Sequence, residues 1–194
     1  IIAFIFVIAG LVLILGKRAW FPDFYNPMFM GVMAFVAAFL IFSPRLILRP
    51  GNPEQEKILD LIQISMVAGL SFNALGALGL FQLYKFGFQY DKLLHFLNPF
   101  VFTIVLAKSY ERWRKFSFKK SIILSIIIIF LAGAIWETFE FVGDALFETK
   151  MLRLYGEFVT EDTIWDLAMN FFGIITAVAG LIFCRNNSQS CYFN

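Results

Sequence analysis

Three stretches of this sequence carry side chains whose types and spacing could do chemistry. The first, Gly133 to Asp144, reads GAIWETFEFVGD and follows the apolar run SIILSIIIIFLA. Its acids Glu137, Glu140 and Asp144 stand at i, i+3 and i+7. On a helix that spacing puts all three carboxylates on one face, within about 60° of arc. The second, DKLLHFLN, offers Asp91, His95 and Asn98 at i, i+4 and i+7. The third, DTIWDLAMN, offers Asp162, Asp166 and Asn170 at i, i+4 and i+8. Acids inside an apolar span are costly unless paired, hydrated or metal-bound, so they mark function by default.

One imidazole among many carboxylates is an oxygen-rich ligand set. It suits a divalent metal ion such as Mg²⁺, Mn²⁺, Ca²⁺ or Fe²⁺, and Zn²⁺ through His95 with two carboxylates. In this reading His95, Glu137, Asp144 and Asp166 are the metal ligands and Glu140 is a general base. Lys92 neutralises a phosphate, and Asp91, Asn98, Asp162 and Asn170 line the site. Plainer roles compete with these. Asp91 and Asp162 stand where helices should start, and aspartate is a favoured N-cap. His95 alone reads as a packed histidine. Lys92 has Glu148 as a candidate partner, or it snorkels to the interface. Trp136 and Trp165 read as packing or interface residues. Glu137 and Glu140 have no such cheap explanation.

Composition shows what must position these residues. The chain has 194 residues, of which 60% are hydrophobic and only 15% charged, with mean hydropathy +0.76. A soluble domain carries about 25% charged residues. The pattern is that of an all-α polytopic membrane protein, read as one membrane domain over 1–194. Six spans are expected, at about 1–15, 28–42, 58–84, 91–108, 121–147 and 163–184. The chain opens on Ile1 without a methionine, and the first span is read as truncated and retained. Ser43-Pro44 and Arg45 should close the second span. Pro53 or Glu54 should open the third, with Asn73 as an interhelical hydrogen-bond residue. Pro99 leaves the His95 carbonyl without its helical donor. The loop 20–27 turns at the interface, 148–161 lies along it, and the tail from 185 is polar. The net charge of +2 gives no sign of nucleic acid binding. Cys184 and Cys191 have no zinc-type spacing.

Alternating loops place Arg45, Arg49, Lys57, Lys108, Arg112, Arg114, Lys115, Lys119, Lys120 and Arg185 on one side, and six basic residues on the other. The positive-inside rule then makes both termini cytoplasmic. Span counting alone brings the three polar stretches to one leaflet, and the positive-inside rule makes it the non-cytoplasmic one.

The blocks DKLLHF, WETFEFVGD and DTIWDLAMNFFG resemble the YjdF-like inner-membrane family of bacteria and archaea. More loosely, DK..H and D...N..G are similar to the VanZ-like membrane family, associated with glycopeptide resistance. The resemblance covers roughly residues 58–182. It implies a small helical membrane protein of the plasma (inner) membrane, with Asp91, Lys92, His95, Glu137, Glu140, Asp144, Asp162, Asp166, Asn170 and Gly173 at motif positions. It implies no particular activity. Three functions stay open: a metal-dependent hydrolase or transferase acting on a lipid or polyprenyl-phosphate headgroup, a cation- or proton-coupled transporter, and a non-enzymatic membrane subunit with a structural cation. The partners expected are the lipid bilayer, a lipid-linked substrate, and a second copy or another membrane protein.

Overall fold

The computed structural model describes residues 1–21, 26–147 and 159–187. The expectations for half of the loop 20–27, for nearly all of 148–161 with Glu148, and for most of the tail lie outside them. The described chain is helical: α1 (Ile2–Leu15), α2 (Pro27–Ile47), α3 (Pro53–Ala77), α4 (Tyr90–Arg112), α5 (Phe118–Phe147) and α6 (Val159–Asn186). Among the described residues, five helices, α2 to α6, are long and apolar enough to cross a membrane. The apolar α1 has 14 residues, about 21 Å at 1.5 Å each, against a hydrocarbon core of about 30 Å. Six membrane-length spans are therefore not what the described residues contain.

Two helix boundaries differ from expectation, each for a local reason. Proline 44 does not end α2. It has no N–H for the Leu40 carbonyl, but the Ser43 hydroxyl donates to that carbonyl at 3.0 Å. The ladder then resumes with Leu48 N–H on Pro44 O at 2.8 Å. A neighbouring hydroxyl that re-satisfies the freed carbonyl is how a membrane helix tolerates proline. Ser43→Ala is expected to cost about 1 kcal/mol, read by denaturant unfolding in mixed micelles. The third span stops early. Gly79 takes φ +137°, a conformation that L side chains rarely adopt, and a short 3-10 segment, Leu80–Phe86, follows. It folds Phe81 back over Gly76, where a Cβ would meet the ring at 2.5 Å.

Helix starts follow ordinary capping. Asn26 accepts from Phe29 N–H at 3.0 Å ahead of Pro27, and Asn52 accepts from Gln55 N–H at 2.9 Å ahead of Pro53. Among the described residues Asn73 does not bridge helices. It donates to the Gly69 carbonyl of its own helix at 3.2 Å.

Helix α4 is the hub. It packs most extensively on α6 and also on α5 and α3, while α1 lies mainly on α2. The outer surface is lined by large apolar side chains such as Phe39, Ile135, Phe141, Ile164 and Phe183, and the interior holds Ala37, Ala38, Ala107 and Ala177 with a set of polar groups. Polar groups inside and large apolar groups outside is the arrangement a bilayer demands.

One end of the bundle is laced by exposed charges. Arg45 of α2 reaches Glu56 at 2.8 Å and Asp60 at 2.5 Å on α3. Lys115 reaches Glu54 at 3.4 Å, and Arg185 of α6 reaches Glu111 of α4 at 3.6 Å. Such exposed pairs fix helix ends more than they stabilise them. At the other end Asn26 of α2 donates to the Phe147 carbonyl of α5 at 3.2 Å. That second end also holds the starts of α4 and α6, and so the acidic stretches.

Candidate metal centre

Three helices bring their polar faces together. The beginnings of α4 and α6 run side by side in the same direction. Their backbones touch at Gly173, where an added Cβ would meet the Phe96 carbonyl at 2.3 Å. Close approach through a small residue is the usual device for packing membrane helices. Here it draws the Asp162/Asp166 face of α6 onto the Asp91/Lys92/His95 face of α4. The C-terminal half of α5 closes the third side with Glu137 and Glu140.

His95, Glu137, Glu140, Asp162, Asp166 and Asn170 are all buried. Glu137 is ten residues from the end of α5 at Phe147, a depth of about 15 Å. Neither aspartate at a helix start acts as the cap. The N-cap of α4 is Gln89, whose side chain makes no capping hydrogen bond, and Asp162 lies within the first turn of α6, which begins at Val159. Both carboxylates turn inward to Lys92 instead.

The Lys92 ammonium is the electrostatic centre of one half of the site. It donates to Asp162 Oδ1 and to Asp166 Oδ2, the latter at 2.9 Å, and lies 3.6 Å from Asp91 Oδ2. Asp166 Oδ1 is also 2.8 Å from the nitrogen, but off the hydrogen-bond axis and without a hydrogen-bond partner. Distance alone makes this second contact an ion pair. The pairing of Lys92 is thus with α6.

His95 divides this half from the other. Its Nε2 faces Asp91 Oδ1 and Asp166 Oδ1, each at 3.7 Å. Its Nδ1 faces Glu137 Oε1 at 3.6 Å. Two groups of potential ligand atoms result, each within 4.8 Å: Asp91/His95/Asp166 and His95/Glu137/Glu140. A neutral imidazole has one lone pair, so His95 serves one group as ligand and turns an N–H toward the other. Charge decides between them. Among the described residues Lys92 already neutralises the Asp91 side, whereas Glu137 has only His95 within ion-pair reach. Both oxygens of Glu137 are buried without a hydrogen-bond partner. Glu140 accepts a hydrogen bond from Trp136 Nε1 at 2.8 Å.

The remaining expected residues fall around this core. Asn170 lies against Gly133 of α5, and its Nδ2 has no hydrogen-bond partner. Asn98 sits on another face of α4, with its Oδ1 against Gly69 of α3. Asp144 is half-buried, seven residues beyond Glu137, and belongs to neither ligand group. Trp136 was missed as a site residue. Its i, i+4 spacing to Glu140 was a readable signal. Trp165 is exposed on the lipid-facing side.

Fold and site together define a polytopic helical membrane protein with a buried His/Glu/Asp group. The chain belongs to the family described as Predicted membrane protein (DUF2238), whose model matches residues 1–187. This is the family that the YjdF-like resemblance named, and the VanZ-like likeness is not shown. No curated protein and no solved structure matches the chain.

Proposed function

We propose that this protein binds a divalent metal ion through His95 Nδ1, Glu137 and Glu140, and that the centre serves hydrolysis or group transfer at the phosphate headgroup of a lipid or polyprenyl phosphate. One observation carries the metal. Glu137 is 6% exposed and faces an imidazole nitrogen, and among the described residues neither of its oxygens has a donor in full hydrogen-bond geometry, with the Thr163 hydroxyl as its neighbouring neutral donor. Buried charges are normally paired or bound to metal. A cation there satisfies both oxygens and relieves the repulsion between Glu137 and Glu140.

The chain's own residues then take defined roles. Trp136 holds Glu140 in one orientation. His95 offers Nδ1 to the cation and keeps its proton on Nε2, facing Asp166 and Asp91, the carboxylate–histidine–metal relay common around metal ligands. Lys92 orders that carboxylate pair. One imidazole with carboxylates suits Mg²⁺, Mn²⁺, Ca²⁺ or Zn²⁺. A bound cation would supply Lewis acidity toward a phosphoryl oxygen. Asp91 and Asp162, near the starts of α4 and α6, would meet a headgroup first, with the metal ligands deeper in the bundle, and an entry lined in this way favours a lipid phosphate as substrate. Both termini in the cytoplasm of a bacterial or archaeal cell would turn the site outward, to the far leaflet of the plasma membrane. This ligand set takes Glu140 in place of the expected Asp144 and leaves Asp166 to Lys92.

A cation- or proton-coupled transporter is the second reading. It is favoured by Thr103 and Ser121, buried hydroxyls without hydrogen-bond partners farther from the acidic end. The apolar cluster of Ala107, Ile122 and Leu181 in that half argues for a closed floor.

The test is metal content by mass spectrometry on detergent-purified protein after equilibration with Mn²⁺ or Zn²⁺. Wild type is expected to retain one equivalent. Glu137→Gln, which removes a ligand itself, is expected to lose affinity by more than the roughly 10- to 100-fold cost of losing an outer partner. No metal in wild type after loading sinks the reading. Phosphate release from a lipid phosphate, against ion flux in proteoliposomes, separates enzyme from transporter.

A further inference from the structure

Asn170 is the buried polar side chain beside the centre that the metal reading leaves without a task. It is 3% exposed, and its Nδ2 has no hydrogen-bond partner among the described residues. A buried donor in that state bears its full desolvation penalty. Its place is fixed from two sides. The carboxamide lies beside the His95 ring, and Nδ2 lies 2.7 Å from where a Cβ on Gly133 of α5 would stand. Gly133 is one helical turn before Glu137. Side chains lean toward the N-terminus of their own helix, and α5 and α6 run in opposite directions. The Glu137 carboxylate therefore leans back toward Gly133, and the Asn170 carboxamide leans outward toward the same level. One orphaned donor and two orphaned acceptors border this space without satisfying one another.

A ligand satisfies both sets when it shows a cation to the carboxylate and an anionic oxygen to the amide. A metal-bound phosphate does so. Lys92 does not take the second role, because its ammonium is engaged by Asp162 and Asp166. We infer that Asn170 Nδ2 donates a hydrogen bond to a non-bridging oxygen of a phosphate group held on the metal at Glu137, so that Asn170 and not Lys92 recognises the anion. The inference rests on the metal reading of Glu137 and names the substrate group that the centre reads. A carboxamide suits the task. Its N–H attracts an ionised oxygen strongly, yet it carries no net charge and so does not compete with the metal for Glu137. Held between His95 and α5, it loses little freedom when the anion binds.

The test is calorimetric titration of the whole chain in dodecyl maltoside with two probes, inorganic phosphate and dihexanoyl phosphatidate. Each variant is titrated at Mn²⁺ that saturates it, so a change in metal affinity drops out, and again in chelator. Asn170→Leu is expected to weaken probe binding by about 10- to 100-fold. Gly133→Ala removes no polar atom. Its methyl presses on Nδ2, the movable end of a side chain, and should weaken binding by a smaller factor, about 3- to 10-fold. Binding of either probe with these losses upholds the inference. Phosphatidate alone marks a lipid source for the phosphate, and inorganic phosphate alone a soluble one. Unchanged probe affinity in Asn170→Leu at saturating Mn²⁺ overturns it, even where Mn²⁺ itself binds less tightly, since that is the mark of a group that only positions His95. Where the leucine variant does not fold, unchanged affinity in Gly133→Ala overturns it. A wild type that holds Mn²⁺ and binds neither probe overturns the inference and leaves the metal site standing. A wild type without Mn²⁺ that binds a probe in chelator, and loses it in Asn170→Leu, upholds Asn170 as the anion donor and overturns the metal at Glu137.

Discussion

Replacing Lys92 with methionine is expected to destabilise the metal-free protein by about 3–5 kcal/mol, the range seen when one partner of a buried ion pair is removed. Asp162 and Asp166 are among the most buried acids described here, and Lys92 is the basic group that meets both. Methionine keeps much of the length and packing of the stem, so the loss reports charge. The burden falls on α6, whose first turns would carry two uncompensated carboxylates against α4. Asp162→Asn should cost less, because the ammonium keeps Asp166 and Asp91. The measurement is denaturant unfolding in mixed micelles, with both variants compared in chelator. A loss near 1 kcal/mol for Lys92→Met would mean that the carboxylates find other compensation, such as water or protons. Excess Mn²⁺ should return part of the loss through binding to the native state, by RT ln(1 + [L]/Kd).

The helices and the meeting of the polar stretches were legible because both rest on a strong physical constraint. Apolar runs near 20 residues must be helical in lipid, and polar faces at helical spacing within them must turn inward. Span order then puts Asp91, Glu137 and Asp162 at one end. The contacts within the site were less legible, because they depend on how closely helices approach. The roles of Asp91 and Asp162 as caps were reasonable from position, but the first turns of α4 and α6 extend past them and turn both toward Lys92. The partner of Lys92 is seventy residues away or more, so no local spacing could show it. Asp144 shares a face with Glu137 on the helical wheel, yet lies about 10 Å farther along the axis, a separation that angle alone conceals. Ser43-Pro44 reads as a stop because proline usually ends a helix, and the local rescue, the Ser43 hydroxyl on the Leu40 carbonyl, depends on one side-chain rotamer that sequence does not show. Trp136 to Glu140 is the contrary case: it is local, at i+4, and was overlooked in favour of packing.

Gly173→Val should be as damaging as the loss of Lys92, although it touches no charged atom. Even a bare Cβ at this position would lie 2.3 Å from the Phe96 carbonyl and 3.2 Å from Phe100 N. Those are backbone atoms in the N-terminal half of α4, one and five residues after His95, and they have no rotamer with which to yield. The helices must separate, by more for valine than for alanine. Overpacking costs about 1–3 kcal/mol where side chains can shift, and a clash against backbone belongs at or above the upper end, about 3 kcal/mol or more. The separation would act on the site as well as on stability. It would move the Asp162/Asp166 face away from Lys92 and lengthen the 3.7 Å approach of Asp166 to His95 Nε2. Gly173→Val is therefore expected to lower both unfolding free energy and metal affinity, whereas Gly180→Ala on the same helix, where a Cβ would meet nothing within 4 Å, should change neither measurably. Equal behaviour of the two variants would show that α4 and α6 do not meet at Gly173, and with that the alignment of Lys92 over the α6 carboxylates would fall.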